Sequence, residues 1–531
     1  MNRQTQAPAR ARTGSTRSRA AKGPRAGDPL APLNPEAWTR AHARHLLWRA
    51  GFGGTPEQVA LLAGWGLEKS VASLMDYATV PFAAPTGSEF DSGIMGPPTA
   101  EQRMEYRQAA ARRDEDLLAR LRLNRQQAEQ RDRQQMREVQ RWWLTRMIET
   151  PRPLEEKLTL FWHGHFATSY RTIEDSWHMF LQNQLFRVHA AGNFGELLFG
   201  IIRDPAMLAY LDNNDSRKDR PNENLAREIM ELFALGVGNY TEEDIKNGAR
   251  ALTGYSFEDD EFIFRGNNHD RTLKTIFGRT EAFDGDGFVR MILEHPACAT
   301  FIATKLYDAF VRSVPLEPEN QAEDDRRVIG AMSSELQRAR YEVGPVLRKV
   351  FGSAWFYDDA VMLERVKSPV ELVVGAVRSL NAPVRDLDVL NDALELMGQE
   401  LFFPPSVKGW PGGRSWINTA TLFTRQNILA YLLTGARPNR GAAGGGGGRG
   451  GFDAGALVRS LGFESGSTAS PEPGLVVARL TGFLLGRDTP AARRTLEEFV
   501  ASVRASGGGS PEELVTGAAL LITSMPEYQL C

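Results

Sequence analysis

With 531 residues, 42% of them hydrophobic and 24% charged, the chain has the composition of a folded protein and enough apolar material for one large core or several smaller ones. Its 63 basic and 66 acidic residues leave a net charge of -3, which removes any whole-molecule electrostatic case for nucleic-acid binding. Two cysteines, Cys298 and Cys531, supply neither a disulfide framework nor a cysteine-based zinc site, and no run of about 18 apolar residues offers a membrane span.

Residues 1–34 read as a disordered basic tail, with seven Arg or Lys and no acid up to Gly27. The tail lacks the apolar stretch of a secretory signal, so the expected compartment is cytoplasmic by default. Ordered structure is expected from Pro35, where Trp38, His42, His45 and Trp48 fall at helical spacing before the break at Gly51 to Gly54. Thr55 and Pro56 then supply an N-cap and a first-turn proline. After a Pro- and Gly-rich loop, residues 101–148 read as one long charged helix with a mostly solvated surface. Its interleaved acids make nucleic-acid binding the weaker reading. Thr150, Pro151 and Pro153 open a core-like helix that runs to Trp162-His163-Gly164-His165-Phe166. Helices are expected over about 173–190, 194–211, 224–235 and 242–252, with stops at Gly192, Gly236 and Gly254. Between Phe257 and Phe277 the period switches to two, which predicts a single β-hairpin turning at Gly266-Asn267-Asn268. Helical patterning returns from Phe288 to about Leu433, broken where Pro404-Pro405 and Gly412-Gly413 forbid a helix. A glycine-rich linker, 435–451, separates the main helical domain, 35–434, from a small C-terminal helical segment, 452–531. The fold class expected is mainly α, a large multi-helical globular core with one small β-hairpin and a C-terminal helical bundle.

Several segments carry a family resemblance. They are His45-Leu46-Leu47-Trp48-Arg49-Ala50-Gly51-Phe52-Gly53, Leu160 to Ser169 around His163-Gly164-His165, and Pro221-Asn222-Glu223-Asn224-Leu225-Ala226-Arg227-Glu228 continuing to Glu231-Leu232-Phe233. Further on come Leu235 to Glu242, Arg250 to Gly254, Lys367-Ser368-Pro369-Val370-Glu371, and Pro404-Pro405 followed by Lys408-Gly409-Trp410-Pro411-Gly412-Gly413. In order and composition these segments, over about residues 41–429, resemble the bacterial domain of unknown function 1800 family (DUF 1800). Tyr255 stands where members usually have Trp. The resemblance implies a bacterial origin, a largely helical fold and a partner, the phosphatase- or sulfatase-like protein often encoded beside family members. It implies no activity.

The residues themselves suggest one site. His163 and His165, an i,i+2 pair, share a side only in extended backbone, a break that Gly164 permits, and would then offer two imidazoles to one metal. The plainer alternative is a pair of polar residues bonding nearby carbonyls. On the helix expected at 224–235, Glu223, Arg227 and Glu231 share the polar face, and Glu228 and Glu231 are spaced to act as an acid/base pair with Arg227 as clamp. Asp212 and Asn222 flank that helix, and His269 and Asp270 sit at the hairpin turn, where a local hydrogen-bonding role competes with metal ligation. Trp410 and Trp416, in a Gly- and Pro-rich loop, suit an aromatic platform for a sugar ring or peptide. Together with Asn222 and Glu223 they form the expected substrate-binding set. Walker, dinucleotide-binding, serine-elbow and H-E-x-x-H motifs are missing. The leading expectation is a metal-dependent hydrolytic or oxidative enzyme, with Zn, Mn or Fe held by His163, His165, Asp212, His269 and Asp270 and with Glu228, Glu231 and Arg227 catalytic. The alternative is a non-catalytic binding or assembly protein acting with the phosphatase-like partner.

Overall fold

A computed structural model describes residues 27–382, 386–435, 452–462, 472–487, 489–505 and 510–531. Most of the basic tail and nearly all of the glycine-rich linker lie outside the described residues. The chain is mainly α. Three helices open it, α1 (Arg40–Arg49), α2 (Pro56–Trp65) and α3 (Leu67–Met75). The Thr55 hydroxyl and the Gln58 side chain close a reciprocal cap on α2.

The helix expected over 101–148 is two, α4 (Ala100–Arg112) and α5 (Glu115–Glu149). Arg113 takes a left-handed conformation, Asp114 caps the new helix by accepting from the Leu117 N–H, and the chain folds back so that Arg120 pairs with Glu105 at 3.1 Å. A second of the acids interleaved with the arginines pairs within α5, Glu129 with Arg125 at 3.1 Å. The Val139 to Met147 end of α5 is apolar and buried.

Helix α6 (Pro153–His165) follows, then α7 (Tyr170–Ile173), α8 (Ser176–Val188), α9 (Phe194–Ile201), α10 (Pro205–Tyr210), α11 (Asn224–Glu228) and α12 (Glu242–Ala251). Helix α11 widens into a π-turn, Ile229–Ala234. The single hairpin expected over 257–277 is in fact two. Strand β1 (Tyr255–Glu258) pairs antiparallel with β2 (Glu261–Phe264), in register Tyr255 to Phe264, and β3 (Lys274–Ile276) pairs with β4 (Arg279–Glu281). Asp259 and Phe277, both at positive φ, make the tight turns, so Gly266-Asn267-Asn268 belongs to the loop between hairpins.

Then come α13 (Gly285–Glu294), α14 (Pro296–Phe310), α15 (Glu323–Arg338), α16 (Val343–Gly352), α17 (Pro369–Ser379), α18 (Leu387–Leu396) and α19 (Thr419–Thr434). The last helices are α20 (Ala454–Ser460), α21 (Pro473–Leu480), α22 (Pro490–Ala505) and α23 (Pro511–Thr523). Among the described residues no helix is long and apolar enough to cross a membrane.

The apolar side chains gather into two cores. One is built from α1 to α3, α9 to α16 and the Leu154, Leu158 and Trp162 side of α6. The other takes the end of α5, Leu160 of α6, and α17 to α23, so the C-terminal helices share a core with Val370 to Leu380. Helix α6 is therefore a strut between the two and is buried on nearly every side, which is why its polar residues Glu156, Lys157 and Thr159 must find partners inside the protein.

Candidate functional site

Burying α6 forces its charges to be matched. Glu156, fully buried, accepts from Arg146 Nε at 2.9 Å, from Arg187 Nε at 2.8 Å and Nη2 at 2.9 Å, and from Trp143 Nε1 at 3.0 Å. Burial alone pushes this carboxyl upward, but the two guanidinium groups outweigh it and hold it ionised. One residue on, Lys157 donates to Gly51 O at 2.9 Å and to Glu371 Oε1 at 2.5 Å. Glu371 also closes the reciprocal cap of α17, accepting from the Ser368 N–H at 2.7 Å.

The backbone stays helical through His165, contrary to the break expected at Gly164. The two imidazoles are therefore about 200° apart around the helix. His163 enters a box made by the rings of Trp143, Phe186, Phe402 and Trp410, with centroids 5.2 to 5.9 Å away, and neither ring nitrogen has a hydrogen-bond partner. His165 faces the other way, its Nε2 2.9 Å from Phe233 O, which fixes the proton on Nε2 and leaves Nδ1 a bare acceptor. Burial pushes both imidazoles down to about 3, so both are neutral at ordinary pH.

The other expected site residues are distributed as follows. Arg227 is tied to Glu223 at 3.0 Å and to Glu242 at 2.9 Å, and Glu231 accepts from Tyr240 Oη at 2.8 Å. Glu228 is half-buried, and its carboxyl is raised by burial and by Glu231 against the lowering charges of Arg227 and Lys408. Asp212 is an exposed left-handed corner whose carbonyl accepts from Asn222 Nδ2 at 3.0 Å. His269 Nδ1 donates to Thr253 O at 2.8 Å, and Asp270 accepts from Arg250 Nε at 2.7 Å and from the Thr272 hydroxyl at 2.6 Å. Those contacts pin the loop between the hairpins to α12. Among the described residues no three or more His, Cys, Asp or Glu side chains stand where they could hold a metal ion.

What the fold does bring together is a cavity of about 200 Å³ at the end of α6, on the seam between the two cores. His165, Trp410 and Trp416 line it, joined by Lys305 and Asp308 of α14, Arg365 and Lys408. Glu371 and Lys157 form its floor. Trp410 packs on His163 and along Gly164, and its Nε1 has no acceptor. The loop can lie this close because Gly409, at φ +82°, has no side chain: a Cβ there would stand 2.1 Å from Gly164 O. Gly409→Ala is therefore expected to cost about 1–2 kcal/mol for the left-handed backbone and to lift the loop off α6, which a red shift in tryptophan emission and a lower unfolding midpoint would report. An unchanged spectrum and midpoint would show that the loop is not seated as described.

Residues 365–368 complete the wall and are clasped from the far end of the sequence. Lys367 N–H donates to Gln529 O at 2.8 Å, Lys367 Nζ to Tyr528 O at 2.5 Å, and the Cys531 N–H to Arg365 O at 2.9 Å. The segments meeting here include Leu160 to Ser169, Lys367 to Glu371 and Pro404 to Gly413. The chain matches the family described as "Protein of unknown function (DUF1800)" over residues 45–530. It belongs to the DUF1800 family. The match runs through α20 to α23, beyond the segments in which the resemblance was read, and so includes Tyr528 and Gln529, two of the residues that clasp the DUF1800 chain's 365–368 wall. No curated protein and no solved structure matches the chain.

Lys305, Asp308 and Arg365 were not singled out from the sequence, although one signal was present. Lys305 and Asp308 are the only charges in the helix Pro296–Phe310, three apart on one face of an otherwise apolar and small-residue stretch. A wider cleft, about 1240 Å³ beside Glu155, is less suited to recognition. Its cations are already matched: Arg348 to Asp76, Lys349 to Glu335, and Arg146 and Arg187 to Glu156.

Proposed function

We propose that this DUF1800 protein is a small-ligand binding protein, whose ligand sits in the cavity bounded by His165, Lys305, Arg365, Lys408, Trp410 and Trp416. The observation that carries the reading is the convergence of segments some 250 residues apart in sequence, around α6, α17 and the Trp410 loop, on one recess that keeps polar groups in an aromatic setting. Small-molecule sites have this make-up, mostly apolar walls with a few placed polar groups. At about 200 Å³ the space is below the roughly 300 Å³ at which drug-sized ligands begin, so the guest is of metabolite size. Metal-dependent chemistry at His163 and His165 is not the reading favoured, since the two rings leave α6 on different sides and carboxylates are engaged with other partners.

Ala309, half-exposed on the cavity wall, gives a means of blocking it. A thermal-shift screen of a defined panel of neutral and charged metabolites should find compounds that raise the unfolding midpoint of the full-length protein, and Ala309→Phe, folded but with the recess filled, should lose that response. If the blocked variant responds as the wild type does, the ligand site is elsewhere and the reading fails. It fails equally if no compound of the panel shifts the wild type.

A further inference from the structure

The charges around the recess do not balance. Arg44, Arg49, Lys367 and Arg425 lie behind it, all buried, while Lys157 and Arg365 form its floor and wall. Their bonds run mainly to neutral carbonyls: Arg44 to Phe483 O and Leu484 O at 2.6 Å, Arg49 to Val361 O at 3.1 Å, Arg425 to Lys367 O at 2.8 Å, and Lys367 to Tyr528 O. Lys367 Nζ is further held 4.0 Å above the rings of Trp48 and Tyr528. Among the described residues Glu371 is the one buried side-chain carboxylate in the cluster. The other negative influences are Cys531, the exposed Glu364 and, at the rim, Asp308. A charge taken from water needs a partner of opposite sign or it shifts toward neutrality; Arg365, close to Glu371, Cys531 and Asp308, is raised in spite of burial, and the other cations of the cluster are lowered. Burial pushes Arg44, Arg49 and Arg425 down to about 10, and Lys157 and Lys367 downward as well.

At the opening of the recess stands Lys305. Its amine lies 5.4 Å over the Phe301 ring, and among the described residues it makes no ion pair and no hydrogen bond. Burial lowers this amine against the opposing pull of Asp308. Lys408, on the opposite rim, is exposed and likewise has no ion pair among the described residues. Asp308 has its own task, accepting from the Val314 N–H at 3.1 Å.

We infer that the ligand is an oxyanion, a carboxylate or a phosphate-type group, held on the Lys305 amine with Arg365 and Lys408 as flanking cations. The inference rests on the recess being the ligand site. An oxyanion there supplies countercharge to the surrounding cations, and its acceptor-only oxygens fit Lys305 Nζ and Trp410 Nε1, two donors without an acceptor among the described residues. Neutral ligands leave the surplus where it is. The rest of the molecule is then free to lie against Trp410 and Trp416.

The test is isothermal calorimetry and thermal shift on the full-length protein with sodium phosphate and, separately, sodium acetate, at ionic strength held constant with sodium chloride. Wild type is compared with Lys305→Met and with Lys408→Met, the second being exposed and safe for folding. The expected result is saturable binding of at least one of the two anions, a higher unfolding midpoint, and at least a tenfold weaker Kd in Lys305→Met. Phosphate alone binding points to a phosphate-bearing ligand, acetate alone to a carboxylate. Binding by the wild type that neither lysine variant weakens overturns the inference, and so does no binding of either anion. If a neutral compound of the metabolite panel shifts the wild type and not Ala309→Phe, while neither anion binds, the recess stands and only its anionic character falls. If nothing binds, both fall.

Discussion

Lowering the pH from 7 to 4.5 is expected to destabilise the protein by roughly 5 kcal/mol, through the two imidazoles of α6. In the unfolded chain a histidine takes up a proton near pH 6.5, whereas in the fold burial pushes His163 and His165 down to about 3. Below 6.5 the unfolded state therefore binds more protons, and stability falls as pH falls, by about 1.4 kcal/mol per pH unit for each group until the folded value is reached. His45, also buried and held well below its ordinary value by burial and by Arg49 and Arg44, acts in the same direction. Asp204 opposes it: burial raises its carboxyl to about 6, so it recovers stability as the pH falls through that value. Glu371, held far below the usual carboxylate range by Lys157 and Arg365 in spite of burial, adds its own loss only under about pH 4.5. Urea midpoints at pH 7, 6, 5 and 4.5 would display the slope. His163→Phe keeps a flat ring among the four aromatic neighbours and removes two nitrogens that have no partner, so at pH 7 it should change stability by less than about 1.5 kcal/mol. Its acid slope should be shallower by about one proton. A midpoint independent of pH over this range, or an unchanged slope in the variant, would contradict the neutral, sealed imidazole described here.

The second large effect concerns Glu371. Its replacement by Gln is expected to cost about 3–5 kcal/mol, the usual penalty for leaving a buried partner charge unmatched. The carboxylate accepts from Lys157 at 2.5 Å and lies 3.7 Å from Arg365, and no other buried side-chain carboxylate lies in that cluster among the described residues. Gln keeps the volume and can still accept from the Ser368 N–H, so the loss isolates charge from packing and capping. Calorimetric unfolding of Glu371→Gln beside Ser368→Ala separates the contributions. Losing only the hydroxyl of the cap should cost about 1 kcal/mol. Equal losses in the two variants would mean that the cap, and not the ion pair, is what Glu371 supplies. If the oxyanion inference holds, phosphate should raise the midpoint of Glu371→Gln by more than that of the wild type, since removing a negative charge leaves the recess more cationic.

How much of this was legible in the sequence varies with the kind of signal. Capping chemistry read directly: Thr55-Pro56 starts a helix as expected, because the cap is made by neighbours in sequence. Asp114 is the same signal, and it marks the fold-back between α4 and α5 that the charge pattern alone conceals. The hairpins were harder. Alternation over 257–277 is shared by two ribbons, and only the positive-φ corners at Asp259 and Phe277, neither of them Gly, assign strands to partners. Trp410, Trp416 and His165, singled out in the sequence for other roles, line one recess, and that recess depends on contacts across hundreds of positions. The charged residues at 222–231 and 269–270 look like a constellation in sequence, yet Arg227 with Glu242 and Asp270 with Arg250 satisfy each other locally. Lys305 carries the opposite lesson: one lysine in an apolar helix looks incidental until the fold leaves it without a partner among the described residues.

The clasp between residues 528–531 and 365–368 sets the order in which the protein is made. Tyr528 is 161 positions beyond Lys367, whose amine it receives. At ordinary rates of translation, about 5–20 residues per second, the ribosome takes roughly ten to thirty seconds to cover that distance. Throughout that interval α1 to α16 can condense around their own core, while Lys367, Arg365 and later Arg425 wait in the nascent chain without the strand that covers them. The recess is thus among the last features to form. Substitutions at residues 528–531 are then expected to act as folding-yield defects, and, if the recess is the ligand site, to weaken binding from far along the sequence.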